Sequence, residues 1–156
     1  MPRIAPAAAG GENVCAFLDM IAHSEGTAGR GDDGYNVLVG GELFTGYADH
    51  PRRLVQIRPG LASTAAGRYQ LLARYFDDYK KLLGLHDFEP VSQDLIAIQQ
   101  IRECRALETI VAGEFASAVA ACAHIWASLP GAGYGQHENK LGDLLVAYTE
   151  SGGQTA

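Results

Sequence analysis

One amphipathic stripe constrains this chain more than any other feature. Val14, Phe17, Leu18, Ile21 and Ala22 recur at i, i+3, i+4, i+7 and i+8, the spacing of one buried helical face. Asn13 stands where an N-cap belongs, and Gly26 where a left-handed stop belongs. Glu25 then falls in the last turn, at the negative end of the helix dipole. A second negative charge is disfavoured there, so the proton is held more tightly than on a free Glu. With apolar surroundings as well, such a group becomes a general acid near neutral pH. The plainer reading is a solvated Glu at a helix end.

The rest of the chain suggests where this helix packs. Thr27–Gly34 reads as a polar, Gly-rich loop. Tyr35–Val39 is a strand candidate, Gly40-Gly41 a tight turn, and Glu42–Thr45 its returning partner. Leu54–Arg58 is a weaker third strand closed by Pro59-Gly60. From about Ser63 onward the pattern is helical. One stripe runs Tyr69, Leu72, Ala73, Phe76, Tyr79, Leu83 to a stop at Gly84. Ser92 is placed to cap the next helix, a short helix spans Ala106–Ala112, and further stripes cover Phe115–Trp126 and Leu141–Tyr148. The expected fold is α+β, mostly helical, with a small antiparallel sheet lobe over about 35–60 and a cleft between lobes. Glu25 lies at the junction. With 47% hydrophobic residues in 156, residues 12–156 suffice for one domain with a real core. Residues 1–11, rich in Pro, Ala and Gly, read as a loose arm rather than a signal peptide.

Several function classes drop out. A net charge of -6 argues against a nucleic-acid partner. Arg52, Arg53, Arg58, Arg68 and Arg74 fall close together and read as a solvated surface or a face for an anionic polymer. No window is apolar enough to cross a membrane. Cys15, Cys104 and Cys122 read as buried free thiols of a reducing compartment. The histidines include no His-Glu-x-x-His helix, and His124 reads as structural. No metal and no cofactor is expected.

Glycoside chemistry remains, and it usually needs two carboxyl groups roughly 5–9.5 Å apart. Partners for Glu25 would come from Asp32, Asp33, Glu42 and Asp49, none singled out by pattern. The Glu, eight residues, Asp spacing of one phage lysozyme class is absent, since Gly34 stands there. A single carboxylate suffices where the substrate carries its own nucleophile, as the C6 hydroxyl of N-acetylmuramic acid (MurNAc) does.

The blocks Ala16–Thr27, Gly34–Thr45, Asp49–Arg52, Ala66–Leu72 and Ile125–Gln136 together resemble the lambda-type phage endolysins, which are lytic transglycosylases. They occur in family order over about residues 14–150. The resemblance implies a lysozyme-like fold and cleavage of the β-1,4 bond between MurNAc and N-acetylglucosamine in peptidoglycan, leaving 1,6-anhydro-MurNAc. It places the catalytic acid at Glu25. It implies glycan contacts from Gln70 and Arg68 in the Gly67–Gln70 segment, from Tyr134 in its Gly-rich loop, and from Tyr35 and His50 in their blocks, while Tyr69 reads as core. It further implies a monomer that accumulates in the host cytoplasm and reaches the wall through a holin-made lesion. Two positions depart from the family pattern, Asp33 and Asn139, where histidines are expected. The competing readings are a hydrolytic muramidase and a non-catalytic peptidoglycan-binding module.

Overall fold

In the computed structural model, which describes residues 1–156, nine elements follow in order: α1 (Pro6–Ala9), α2 (Glu12–Ser24), β1 (Val55–Arg58), β2 (Leu61–Ser63), α3 (Ala73–Leu83), α4 (Pro90–Glu103), α5 (Leu107–Val111), α6 (Phe115–Cys122) and α7 (Leu141–Glu150). The α+β expectation holds. The expected stripe is part of α2, but burial goes further. Cys15, Ala16 and Met20 are buried as well, so α2 is enclosed on nearly every side. It runs through a core built with Ile98, Ile101, Phe115, Val119, Trp126, Leu144 and Tyr148. A smaller cluster of Leu38, Phe44, Leu71, Phe76, Phe88 and Ile96 forms the second lobe.

The helix stop is as expected. Gly26 has φ 74°, its N–H donates to His23 O, and Thr27 N–H donates to Ala22 O. This is a Schellman closure. The start differs. Gly11, not Asn13, precedes the first turn. The Asn13 side chain instead bonds Ile110 O and the backbone of Gln154.

The loose arm is not loose. Ile4 and Ala9 join the core, and the N–H groups of Arg3 and Ile4 donate to Asp94 Oδ2 at 2.8 and 2.9 Å. The Met1 amine pairs with Asp33 at 2.8 Å. A buried carboxylate needs donors, and the arm supplies two of them to Asp94.

The sheet is also redistributed. The Gly40-Gly41 turn forms, with φ 88° and 101°, and residues 35–45 return on themselves as a short irregular hairpin, with the bridge Val37–Leu43 flanked by Leu38 N–H to Glu42 O and Phe44 N–H to Asn36 O. The backbone of Val37 and Val39 is engaged elsewhere, bonding Gly67 and Ala65. The regular antiparallel pair is β1–β2, with Val55 opposite Ser63 and an irregularity between Gln56 and Arg58. Helix α3 starts at Ala73, four residues later than the Tyr69 stripe suggests, because Gln70 has φ 53° and Leu71 bridges back to Ala66. Helix α4 begins at Pro90, and Ser92 bonds Asp87 instead of capping. Cys15 and Cys122 are buried free thiols, but Cys104 is only half-buried, with its Sγ 3.9 Å from His124 Nε2.

Candidate active site

Glu25 closes α2 and enters an open cleft of about 750 Å³. One rim is the exposed apolar face of β1–β2, with Leu54, Ile57 and Leu61. The opposite wall is Ile125, Trp126 and Ala127, with Gln136 beyond, and Gln70, Leu72 and Arg74 complete the lining. Glu25 is the only carboxylate among the lining residues and Arg74 the only cation.

Burial pushes the Glu25 carboxyl up to about 7, against one opposing influence, a hydrogen bond from Ser128. Burial is the leading cause of the rise. The opposing bond ends a relay. Asn139 Nδ2 donates to Ser24 Oγ at 2.9 Å, the Ser24 and Ser128 hydroxyls lie 2.8 Å apart, and Ser128 donates to Glu25 Oε1 at 3.2 Å. With the Ser128 hydrogen on Glu25, Ser24 must donate to Ser128. Every donor in the relay then points toward the carboxylate. Ser128→Ala removes the group that favours the charged form. The Glu25 titration midpoint, followed by carboxyl-carbon NMR, should move above that of the wild type; an unchanged or lower midpoint would show that the relay does not act on Glu25.

The four possible partner carboxylates are held away from the cleft. Asp32 pairs with Arg3 at 2.7 Å and accepts from Tyr47. Asp33 pairs with the Met1 amine and Arg68, Glu42 with Arg53, and Asp49 with Arg52.

The residues expected on the glycan divide sharply. Gln70 lines the cleft, although its Nε2 donates to Val37 O and Gly67 O, so part of its work is holding the floor. Arg68 does not reach the cleft. It is 1% exposed, with Nη2 2.6 Å from Asp19 Oδ1 and Nε donating to Asp33 O. Tyr35 is fully buried and its hydroxyl donates to Asp94 Oδ1. His50 is buried beside Phe76 and Phe88, with Nε2–H donating to Leu71 O and Nδ1 accepting from Arg52 N. Burial lowers its pKa, which favours the neutral ring. Tyr134 is exposed, bonds His124 O and does not line the Glu25 cavity. Tyr69 is buried as expected, donating to Asp94.

Sequence reasoning missed the relay residues Ser24, Ser128 and Asn139, the wall residue Trp126 and the apolar rim on β1–β2. The rim left a trace as apolar residues flanking a Pro-Gly turn, and Asn139 as a departure from the family pattern. No group of three or more His, Cys, Asp and Glu side chains gathers as a metal would require.

Known proteins match this arrangement along most of the chain. The sequence model of the endolysin family matches residues 15–155. The endolysin of Escherichia phage lambda is 58% identical over 142 residues, covering 88% of this chain and 90% of that protein. The endolysin of Escherichia phage P2 is 48% identical over 158 aligned positions, covering 93% and 96%. Among solved structures, bacteriophage lambda lysozyme complexed with a chitohexasaccharide superposes with a TM-score of 0.92 at 53% identity, covering 94% of this chain and 97% of that one. A second structure of lysozyme from bacteriophage lambda gives 0.87 with the same coverage. The departures at Asp33 and Asn139 sit inside a match that spans both lobes, and the chain belongs to the endolysin family.

Proposed function

We propose that this protein degrades bacterial peptidoglycan as a lytic transglycosylase, with Glu25 as its single acid and base. The related lambda lysozyme is solved with a chitohexasaccharide, a β-1,4-linked amino-sugar chain, and the open cleft here suits a chain of that kind. A carboxyl with a pKa of about 7 is partly protonated at neutral pH, as general-acid work requires. In the first step Glu25 gives its proton to the glycosidic oxygen, and the bond from that oxygen to C1 of MurNAc breaks. Glu25 is then a carboxylate. It accepts the proton of the MurNAc C6 hydroxyl as O6 bonds to C1. The anhydro ring closes, the acid is regenerated, and no water is consumed.

The observation that carries this reading is the solitary carboxylate. A hydrolase must activate water, and a retaining one must also supply a nucleophile. Asp32, Asp33, Glu42 and Asp49 all have cationic partners outside the cleft. Muropeptides released in heavy-oxygen water should carry no label at the new MurNAc end, be lighter than the hydrolytic product by one water, and resist borohydride. Label at C1 together with a reducible end would make the protein a muramidase.

A further inference from the structure

Beside the cleft lies a second pocket of about 320 Å³, between α3, the first residues of the cleft floor and the segment after α6. The two share Gln70, Leu72, Ile125 and Trp126 as walls, so the pocket opens off the cleft as a side bay. Most polar groups in it are already satisfied within the protein. Tyr69 donates to Asp94, Tyr79 to Glu103, and Trp126 Nε1 to Tyr69 O.

Gln100 is the exception. It is 7% exposed, lines this pocket from α4 as well as a small void beside Phe88 and Ile96, and its amide has no hydrogen-bond partner in the protein. No polar atom of it is sealed off completely, so the amide faces the pocket's solvent. In the free protein only water can satisfy this amide. A ligand amide, with one donor and one acceptor, matches it on both sides. The second feature is Arg74, on the seam. It lines the cleft, its guanidinium lies 4.8 Å from the centre of the Tyr75 ring in the pocket wall, and no carboxylate pairs with it.

We propose that this side bay binds the peptide stem carried on the lactyl ether of MurNAc. Gln100 pairs with a stem amide and Arg74 with a stem carboxylate. The proposal rests on the peptidoglycan reading above. A sugar would satisfy Gln100 through its N-acetyl group but would leave the Arg74 cation without a counter-charge. The stem offers both groups on one chain.

The test compares kcat/KM on glycan strands that keep their stems with kcat/KM on the same strands stripped by an amidase. The wild type should prefer stem-bearing strands by roughly tenfold, the size of one hydrogen bond to a charged or buried partner. Gln100→Leu should cut that ratio severalfold, leaving what the Arg74 charge contributes. The substitution is close in volume and removes no protein hydrogen bond, so the variant should fold. Independently, a free N-acetylated stem tripeptide titrated into the wild type should change the emission of Trp126, the chain's one tryptophan, in a saturable way. Equal wild-type turnover of both substrates overturns the proposal, as does a flat titration. An equal loss on both substrates in Gln100→Leu makes the bay a sugar subsite and overturns it too. Cleavage of neither substrate by the wild type strikes the peptidoglycan reading itself.

Discussion

Glu25→Gln should keep its fold and lose about 10²–10⁴-fold in turnover of purified sacculi, the range that general acid–base catalysis commonly supplies. The amide matches the carboxylic acid in size and can still accept the Ser128 hydrogen bond. It cannot release a proton to the leaving oxygen or take one from O6. No other acid lines the cleft to replace it. A second consequence separates loss of chemistry from loss of structure. Burial raises the folded-state pKa of Glu25 from 4.5 to about 7. The fold therefore binds this proton more tightly than the unfolded chain. That contribution to stability is complete below about pH 4.5 and is lost as pH rises through about 7. The glutamine variant stays neutral throughout. It should match the wild type in thermal melts near pH 4 and exceed it above pH 7. A variant with near-normal turnover would remove Glu25 from the mechanism, and equal melting at both pH values would remove the burial argument.

Arg68→Met should lower stability by about 3–5 kcal/mol, the usual cost of removing one partner of a buried ion pair. Met fills much of the space of the arginine stem and supplies none of its charge. Asp19, itself largely buried, would lose its 2.6 Å partner, and the Asp33 carbonyl would lose the Nε donor. The guanidinium also lies 5.5 Å from the Tyr35 ring centre and 5.7 Å from that of Tyr69, so packing beneath the second lobe would loosen with it. Urea unfolding measures the loss. Specific activity of the folded fraction should stay near that of the wild type, because Arg68 does not line the cleft. A rise in KM with unchanged stability would return Arg68 to the glycan-contacting role that its neighbourhood in the sequence suggested.

The contrast between these residues explains what could be read from the chain. The α2 stripe and its stop at Gly26 were legible because both are local: a 3.6-residue period and one left-handed glycine. Arg68 and Asp19 are 49 residues apart, and nothing local distinguishes a buried arginine from a solvated one. The same holds for His50 and Tyr35, whose partners lie 21 and 59 positions away. Asn139 and Ser24, 115 apart, meet only through the fold. The β1–β2 pair looked weak because Leu54, Ile57 and Leu61 remain exposed, which a core-seeking pattern cannot reward. The hairpin of residues 35–45 is legible from Gly40-Gly41 and its apolar flanks, while the long-range bonds from Val37 and Val39 to 65–67 leave no sign in the sequence.

The enclosure of α2 sets an order of events during synthesis. Its covering neighbour α7, which contributes Leu144 and Tyr148 to the core, is made more than a hundred residues later. Its own Asn13 is tied to Gln154, 141 positions downstream. At ribosomal speeds of about 5–20 residues per second, the interval between making the two helices is on the order of ten seconds. Throughout that interval the most deeply buried helix of the fold has one side bare, and the carboxylate at its end lacks the full enclosure that raises its proton affinity. The nascent chain is thus exposed to chaperones and to aggregation until α7 has emerged, and the site acquires its tuned acid only then.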